Sequence, residues 1–383
     1  MRHLRAVPPL LLLAGMLSCT IPAPPAGSAP GADGSAPSEA LLPAGQVVIP
    51  EASSSATGPY EWSELDQALD DFVPSRIGGL TFILSVDGEV VFQKALGSQS
   101  MDSVLPIASA TKMPSALVVL TLVEVGLLDL DAPVGAYFQG RIAWPDDKAA
   151  ITTRMLLNHT SGLLGAPSCL GSRGSTTLQA CAQEIADAPL EFPPGTQFAY
   201  GGGGYQVAGY LAEVVGGRSW NELFSERLAQ PLGLSRFTYR GGTLGSEANP
   251  RIAGGASSDV YDYNRLLQMI LNQGTQDGIR ILSRPTVQMM AVSQISGLPL
   301  LRSPGEDDLL LGYSFGFWIS DPSLHPGSLG PELSDQGAFG CTPWVDLDRD
   351  YSAVLLIQDR TRTGTEIWNS LRPIIIAALN GAP

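Results

Sequence analysis

Ser109 and Lys112 are the residues whose types and spacing point most directly to chemistry. The chain has only three lysines, Lys94, Lys112 and Lys148, so a lysine three positions after a serine is informative. At a helix N-terminus, residues i and i+3 lie beside each other. A neutral amine in that position can take the serine's hydroxyl proton, while the helix N-terminus supports developing negative charge. The tetrapeptide alone also fits an exposed lysine on an amphipathic helix.

Further motifs, which follow one another in a fixed order, make the catalytic interpretation of Ser109 and Lys112 more specific. Together they resemble the β-lactamase-related serine hydrolases, a family that includes class C β-lactamases, low-molecular-weight penicillin-binding carboxypeptidases and a branch of esterases. The resemblance covers about residues 62–380. The segments that carry it are 106–112, 119–134, 155–163, 194–200, 231–234, 252–255 with 262–263, and 337–340.

The resemblance implies a nucleophile at Ser109 and a proton acceptor at Lys112. The family's second motif, Tyr-x-Asn, aligns with Tyr200-Gly201-Gly202. Tyr200 keeps the phenol that shuttles the proton between nucleophile and leaving group. Gly202 stands where an Asn side chain would hold a substrate amide, so that hydrogen bond is predicted to be missing.

The third motif, Lys-Thr-Gly or His-x-Gly in the family, aligns with Asp335-Gln336-Gly337. A carboxylic acid therefore replaces the cation that would face the substrate. Gly337 still permits close approach of the chain, and the backbone N–H groups of Ser109 and Ala338 are predicted to form the oxyanion hole. Arg302 and Arg349 are the candidate substitute cations.

These residues favour hydrolysis of a carboxylic ester through an acyl-enzyme on Ser109. The first alternative is a β-lactamase or D-Ala-D-Ala carboxypeptidase, acting on a peptide-like substrate. The second is a non-catalytic binding or cell-wall protein that retains the fold. We expect no cofactor and no metal, because the four cysteines show no metal-ligand spacing.

Three other patterns are interpreted as structural. Residues 312–316 match Gly-x-Ser-x-Gly, but alternating strand residues follow Ser314 where a nucleophile elbow requires a helix. His159 lies in an Asn-His-Thr-Ser-Gly sequence that resembles a structural loop of the family. The glycine run 201–204 lacks the Lys-Ser/Thr that ends a phosphate-binding loop.

The N-terminus is predicted to direct export. Residues 1–18 combine a short basic region with an apolar run, and 16–19 resemble a bacterial lipobox ending at Cys19. Residues 19–60 are rich in Pro, Ala, Gly and Ser, which indicates an extended tether with an end-to-end distance of roughly 35 Å. We therefore expect a lipoprotein attached to a membrane through lipid on Cys19, on the periplasmic or cell-surface side. Thr20 after that cysteine favours an outer membrane where the cell has one.

The net charge and the cysteine content limit the expected ligands and cross-links of the protein. The net charge of −15 excludes a polyanionic nucleic acid as a natural ligand. In an oxidising compartment, Cys169 and Cys181 are predicted to form a disulfide, which leaves Cys341 buried and unpaired.

The folded part is expected to be a single domain over 61–383. The sequence predicts a helix over 62–72, a hairpin over 80–96 turning at Asp87-Gly88, and a helix over 110–125. Strands are expected over 312–319, 338–347 and 353–358, with a closing helix over 363–379. This pattern, with the resemblance, predicts a mixed α/β (α+β) fold of the β-lactamase/transpeptidase type. An antiparallel sheet flanked by helices would be interrupted by an inserted, mainly helical region.

Overall fold

The computed structural model describes residues 53–171, 176–239, 247–303, 310–324 and 327–381. The predicted signal peptide 1–18, Cys19 and the tether up to residue 52 lie outside the described residues. Within the described ranges, no helix is both long and apolar enough to cross a bilayer.

An antiparallel sheet of eight strands forms the framework, in the order β1-β3-β2-β14-β13-β12-β11-β10. Its strands come from the two ends of the chain. They are β1 (Ser53–Ala56), β2 (Gly79–Val86), β3 (Glu89–Gly97), β10 (Leu310–Tyr313), β11 (Trp318–Ser320), β12 (Glu332–Ser334), β13 (Thr342–Asp346) and β14 (Tyr351–Ile357).

Short two-stranded sheets tie the intervening region together. They pair β4 (Leu105–Pro106) with β6 (Ser257–Ser258), β5 (Phe198–Ala199) with β9 (Leu300–Arg302), and β7 (Thr275–Gln276) with β8 (Ile279–Arg280). The β5–β9 pair is parallel.

Ten helices complete the described fold. They are α1 (Ser63–Phe72), α2 (Lys112–Glu124), α3 (Thr153–Leu157), α4 (Leu178–Asp187), α5 (Gly203–Gly216), α6 (Trp220–Phe224), α7 (Gln230–Leu232), α8 (Val260–Leu271), α9 (Arg284–Met290) and α10 (Thr361–Gly381). Most lie between β3 and β10, so the predicted helical insertion into one sheet is confirmed.

The sheet separates two apolar cores because successive side chains of a strand point to opposite faces. On β14, Leu355 and Ile357 pack in the core covered by α1 and α10. Val354 and Leu356 face the other, larger core. Helix α2 lies within this larger core and is buried from Lys112 to Leu122. A helix apolar on every side is central to a fold rather than on its surface.

The sequence located the front of the sheet well. The hairpin turns at Asp87 and Gly88, which both have positive φ, as a two-residue turn between twisted strands requires. The boundary at residue 60 was wrong, however. Residues 53–56 form β1 and pair with Phe92–Ala95 of β3, so part of the expected tether belongs to the sheet.

The back of the sheet needs two corrections. The strand expected over 312–319 is a hairpin, because Gly316 has φ +87° and the Ser314 N–H bonds to the Phe317 carbonyl. The strand expected over 338–347 begins only at Thr342, after a turn in which the Gly337 N–H bonds to the Cys341 carbonyl. Hydrogen-bonded turns override the alternating pattern in both places.

The predicted cysteine pairing is confirmed. Cys169 and Cys181 form a disulfide with a Cα–Cα distance of 5.3 Å. Cys341 is free and buried, as expected, just before β13.

Candidate active site

Ser109 and Lys112 lie together at the start of α2. Ser109 is in a 3₁₀ turn, Ala108–Thr111, that leads directly into the α-helix at Lys112. Positions i and i+3 eclipse each other in a 3₁₀ turn, so the local backbone aligns the two side chains. Lys112 Nζ is 3.3 Å from Ser109 Oγ. The serine is half-buried, whereas the lysine is only 3 % exposed.

A second acceptor orients the lysine. Lys112 Nζ donates to the carbonyl of Ala253 at 2.8 Å. That segment is held by Gln206 of α5, which donates to Pro250 and accepts from the N–H of Ile252. The ammonium or amine group therefore has a fixed position toward Ser109.

Burial sets the protonation of Lys112. Loss of hydration lowers its pKa from 10.5 to about 8, partly opposed by the negative charge of Asp335. A lysine in this range is partly neutral near physiological pH and can accept a proton. The geometry and the pKa together fit a general base.

Tyr200 completes the group of three predicted catalytic side chains. Its ring centroid is 4.4 Å from Lys112 Nζ, and its phenol oxygen is buried without a hydrogen-bond partner of ordinary geometry among the described residues. Burial and Asp335 raise the pKa of Tyr200, while the nearby Ser109 hydroxyl partly offsets the rise. Tyr200 is therefore a neutral phenol, suited to passing a proton on and unsuited to being an anionic base.

An aromatic cluster that the sequence analysis did not identify supports Tyr200. The His159 ring contacts the Tyr200 ring in a tilted arrangement, with a centroid distance of 4.6 Å, and His159 Nε2 is 3.2 Å from the Tyr313 hydroxyl. Tyr313 in turn reaches Tyr205 at 3.4 Å. Burial and the neighbouring cations Lys112 and Arg302 lower the pKa of His159 well below its usual value. The histidine is thus a neutral packing partner, in line with its predicted structural role.

Asp335 does not point toward open solvent. It is fully buried, and its Oδ2 accepts from the backbone N–H of Met113 at 2.9 Å, in the first turn of α2. The Tyr263 hydroxyl lies 3.5 Å from the same oxygen. Burial raises the pKa of Asp335 well above its usual range, opposed by the Met113 N–H and Lys112. Substrate binding by this residue remains a prediction, but its carboxyl is already engaged inside the protein.

Gly337 behaves as the sequence predicts. A Cβ on Gly337 would lie only 2.0 Å from the carbonyl oxygen of Ile107, so only glycine allows this approach. The contact brings the turn that carries Ala338 against the segment just before Ser109. Gln336, also predicted to bind substrate, donates to the Ser334 hydroxyl at 3.0 Å. The oxyanion hole of Ser109 and Ala338 remains a prediction.

Neither candidate arginine is a free cation. Arg302 donates to Glu191 at 2.8 Å and to the Tyr200 carbonyl at 2.8 Å. Arg349 forms an ion pair with Asp346, the last residue of β13, whereas Gly337 precedes the first residue of that strand. Ser314 is fully buried and donates to the carbonyl of Met289, which agrees with its interpretation as a structural residue.

The glycine run 201–204 is a packing surface. Added Cβ atoms would lie 2.5 Å from Gly165 Cα at Gly201, 2.1 Å from the Leu164 carbonyl oxygen at Gly203, and 2.7 Å from the Leu156 carbonyl oxygen at Gly204. The N-terminal part of α5 thus rests directly on neighbouring backbone. This explains the run without a phosphate.

Comparison with known proteins assigns the family. The sequence profile described as Beta-lactamase matches residues 65–371. The chain belongs to the β-lactamase family. Its fold is the β-lactamase/transpeptidase-like one, because a solved Bacteroides dorei protein assigned as a β-lactamase superposes with a TM-score of 0.71. That pair is 27 % identical, and the alignment covers 83 % of this chain and 99 % of the other.

Relatives within the family have different described activities. Penicillin-binding protein 4 of Amycolatopsis lactamdurans is 29 % identical over 62 % of this chain and 70 % of its own. Esterase EstB of Burkholderia gladioli is 32 % identical over 44 % of this chain. The matched region spans about half of the esterase, 48 % of its length. Family members are thus serine hydrolases that include esterases, penicillin-binding proteins and carboxypeptidases.

In the described ranges, no group of three His, Cys, Asp or Glu side chains is arranged to hold a metal.

Two neighbouring glycines should respond differently to substitution by alanine. Gly203→Ala should destabilise the protein by about 2 kcal/mol or more, since its Cβ meets the immovable Leu164 carbonyl. Gly202→Ala meets only the flexible Cδ1 of Leu170, at 2.6 Å, and should cost less than about 1 kcal/mol. Urea unfolding of both variants checks this. Equal losses would contradict the packing described for α5.

The pH dependence of ester hydrolysis should report Lys112. Only the neutral amine accepts the serine proton, so kcat/KM should rise with pH through about 8. Asp335→Asn removes the negative charge that raises the lysine's pKa, and the rise should move to lower pH. Glu213→Gln, a half-buried carboxyl on α5 bonded to the Trp220 N–H, is the control and should leave the profile unchanged. An unshifted profile in Asp335→Asn would show that its charge does not act on Lys112.

Proposed function

We propose that this protein is a serine hydrolase that cleaves carboxylic esters through an acyl-enzyme on Ser109. The observation that carries the proposal is the 3.3 Å contact between Ser109 Oγ and a buried lysine whose pKa is lowered to about 8. Ser109 attacks the ester carbonyl as Lys112 takes its proton. Tyr200 then passes a proton to the leaving alkoxide, and water releases the acyl group by the reverse proton path.

The preference for esters rests on two positions. Gly202 has no side chain to bind a substrate amide, and the carboxyl of Asp335 is engaged with Met113 where the resemblance predicts a substrate-facing cation. Loss of one charged and one neutral hydrogen bond costs roughly 2–4 kcal/mol, or about 30- to 1000-fold in rate for a β-lactam or stem peptide. A simple ester carries neither the amide nor the carboxylate that these contacts would bind, so their absence does not slow its hydrolysis.

Exposed apolar side chains beside the site also favour an ester with apolar groups. Leu300 and Leu301 are each 53 % exposed on β9. This strand pairs with β5, and the N–H of Tyr200 bonds to the Arg302 carbonyl. These exposed leucines, one and two residues before Arg302, provide apolar surface on the strand that adjoins the Tyr200 backbone.

The proposal includes export and lipid attachment at Cys19, which rest on the sequence alone. A tether would hold the folded part near a membrane surface. The substrates would then be small molecules outside the cytoplasm.

Removal of the nucleophile should abolish acyl transfer without unfolding the protein. Ser109→Ala should lose fluorophosphonate labelling and reduce esterase activity to background, whereas Ser314→Ala, the matched control, should keep both. Lys112→Ala should be nearly as severe, since members of a catalytic unit act together. Tyr200→Phe should lower kcat more than it raises KM. Activity that survives Ser109→Ala but not Ser314→Ala would refute the site, and a wild type that neither labels nor turns over would favour the non-catalytic alternative.

Substrate class is tested by two compounds on one preparation. The kcat/KM for p-nitrophenyl butyrate should exceed that for nitrocefin by at least about 30-fold. Circular dichroism of the preparation confirms that it is folded. Nitrocefin turnover equal to ester turnover would instead support the β-lactamase or carboxypeptidase alternative.

A further inference from the structure

Leu170 fills the space into which a side chain at position 202 would project. A Cβ on Gly202 would lie 2.6 Å from Leu170 Cδ1 and 3.7 Å from the Cβ of Ala253. Ala253 is also the residue whose carbonyl accepts from Lys112. Leu170 and the residue that orients the proposed base therefore border the same space beside Gly202. It is partly buried rather than fully enclosed.

The segment that carries Leu170 is fixed at several points. Cys169, its neighbour, is joined to Cys181 by the disulfide. The N–H of Cys169 donates to Glu184 at 3.0 Å, and its carbonyl accepts from Asn249 at 3.2 Å. These anchors come from α4 and from the chain just before Ala253. Leu170 thus ends a short 3₁₀ turn, Ser168–Leu170, which these side-chain and covalent contacts attach to the neighbouring segments.

A second backbone contact fixes the segment against α5. The N–H of Gly202 donates to the carbonyl of Gly165 at 2.7 Å, and Gly201 packs directly on Gly165. The loop over 165–169 is therefore attached at its first residue to the chain that leads into α5 and at its last residue to α4. The backbone that carries this apolar wall is therefore held in place, although the far end of the Leu170 side chain can still rotate.

We propose that Leu170 is a specificity-determining residue that closes the acyl side of the cleft and selects esters with short apolar acyl chains. This inference rests on the proposed ester hydrolysis at Ser109. The side of the alcohol has to stay open, because the alcohol departs and water replaces it before the acyl-enzyme is hydrolysed. The acyl group stays attached to Ser109 through both steps. A side chain that contacts the substrate through both steps therefore has to lie on the acyl side.

The size of the side chain at 170 should then set the acyl length that fits. A difference of one methylene in an apolar pocket changes kcat/KM by roughly 10- to 200-fold. Leu170→Ala opens the space above Gly202, so longer chains gain room while short chains lose a contact. Leu170→Phe narrows the same space.

The experiment compares kcat/KM for p-nitrophenyl acetate, butyrate and octanoate, with the leaving group held constant. In Leu170→Ala, the butyrate-to-octanoate ratio should fall about tenfold or more. In Leu170→Phe, the acetate-to-butyrate ratio should rise. Leu379→Ala is the matched control, because Leu379 is also partly buried but lies on α10 and packs against the core on the other face of the sheet. Its ratios should equal those of the wild type.

The outcomes separate this inference from the proposed function. Ratios in both Leu170 variants within twofold of the wild type, with fluorophosphonate labelling of Ser109 intact, would overturn the role of Leu170 and leave the hydrolase standing. A wild type that neither labels nor hydrolyses any of the three esters would overturn both.

The anchors provide a test in which Leu170 itself is unchanged. The double variant Cys169→Ser, Cys181→Ser should shift the butyrate-to-octanoate ratio in the same direction as Leu170→Ala, because the wall loses its covalent anchor. Glu184→Gln, which keeps the bridge and weakens the hydrogen bond to the Cys169 N–H, should shift it less. A wild-type ratio in both would overturn the claim that these anchors position Leu170.

Discussion

The start of helix α2 packs backbone to backbone against two glycines, and the site depends on this contact. A Cβ on Gly337 would lie 2.0 Å from the Ile107 carbonyl oxygen, and one on Gly316 would lie 2.4 Å from Met113 Cα. Each glycine precedes or follows a strand of the large sheet, so the sheet fixes where the helix begins. Close packing also excludes water from the first turn of α2, which lowers the pKa of Lys112. The position and the basicity of the lysine therefore have one structural cause.

The same packing explains the electrostatics around Lys112. Burial disfavours the charged form of both Lys112 and Asp335, so it moves their pKa values toward each other. The Met113 N–H and the helix N-terminus favour a negative charge on Asp335. A cation at position 335 would lower the pKa of the lysine further, whereas the carboxyl raises it. The carboxyl at position 335 thus helps to set the charge balance around Lys112.

The helical insertion supplies the contacts that orient Lys112 and support Tyr200. Gln206 of α5 holds the chain whose Ala253 carbonyl orients Lys112, and His159 supports the ring of Tyr200. The glycines at the start of α5 let this helix rest on the loop that leads to Leu170. The insertion therefore orients the amine of Lys112, supports the ring of Tyr200 and carries Leu170. A site assembled this way can change specificity through the loop without moving Ser109 or Lys112.

The sequence by itself determined the nucleophile candidates, the front hairpin, the closing helix and the disulfide. The hairpin and the helix depend on local spacing and turn chemistry, the nucleophile on ordered sequence motifs, and the disulfide on the predicted oxidising compartment. The direction of the Asp335 carboxyl, the contact between the rings of His159 and Tyr200, and the filling of the space beside Gly202 were decided only by the tertiary structure. These contacts join residues that are tens to hundreds of positions apart, as in the 222-residue separation between Met113 and Asp335. Turn hydrogen bonds and close packing between segments determine them, and neither leaves a periodic signal in the sequence.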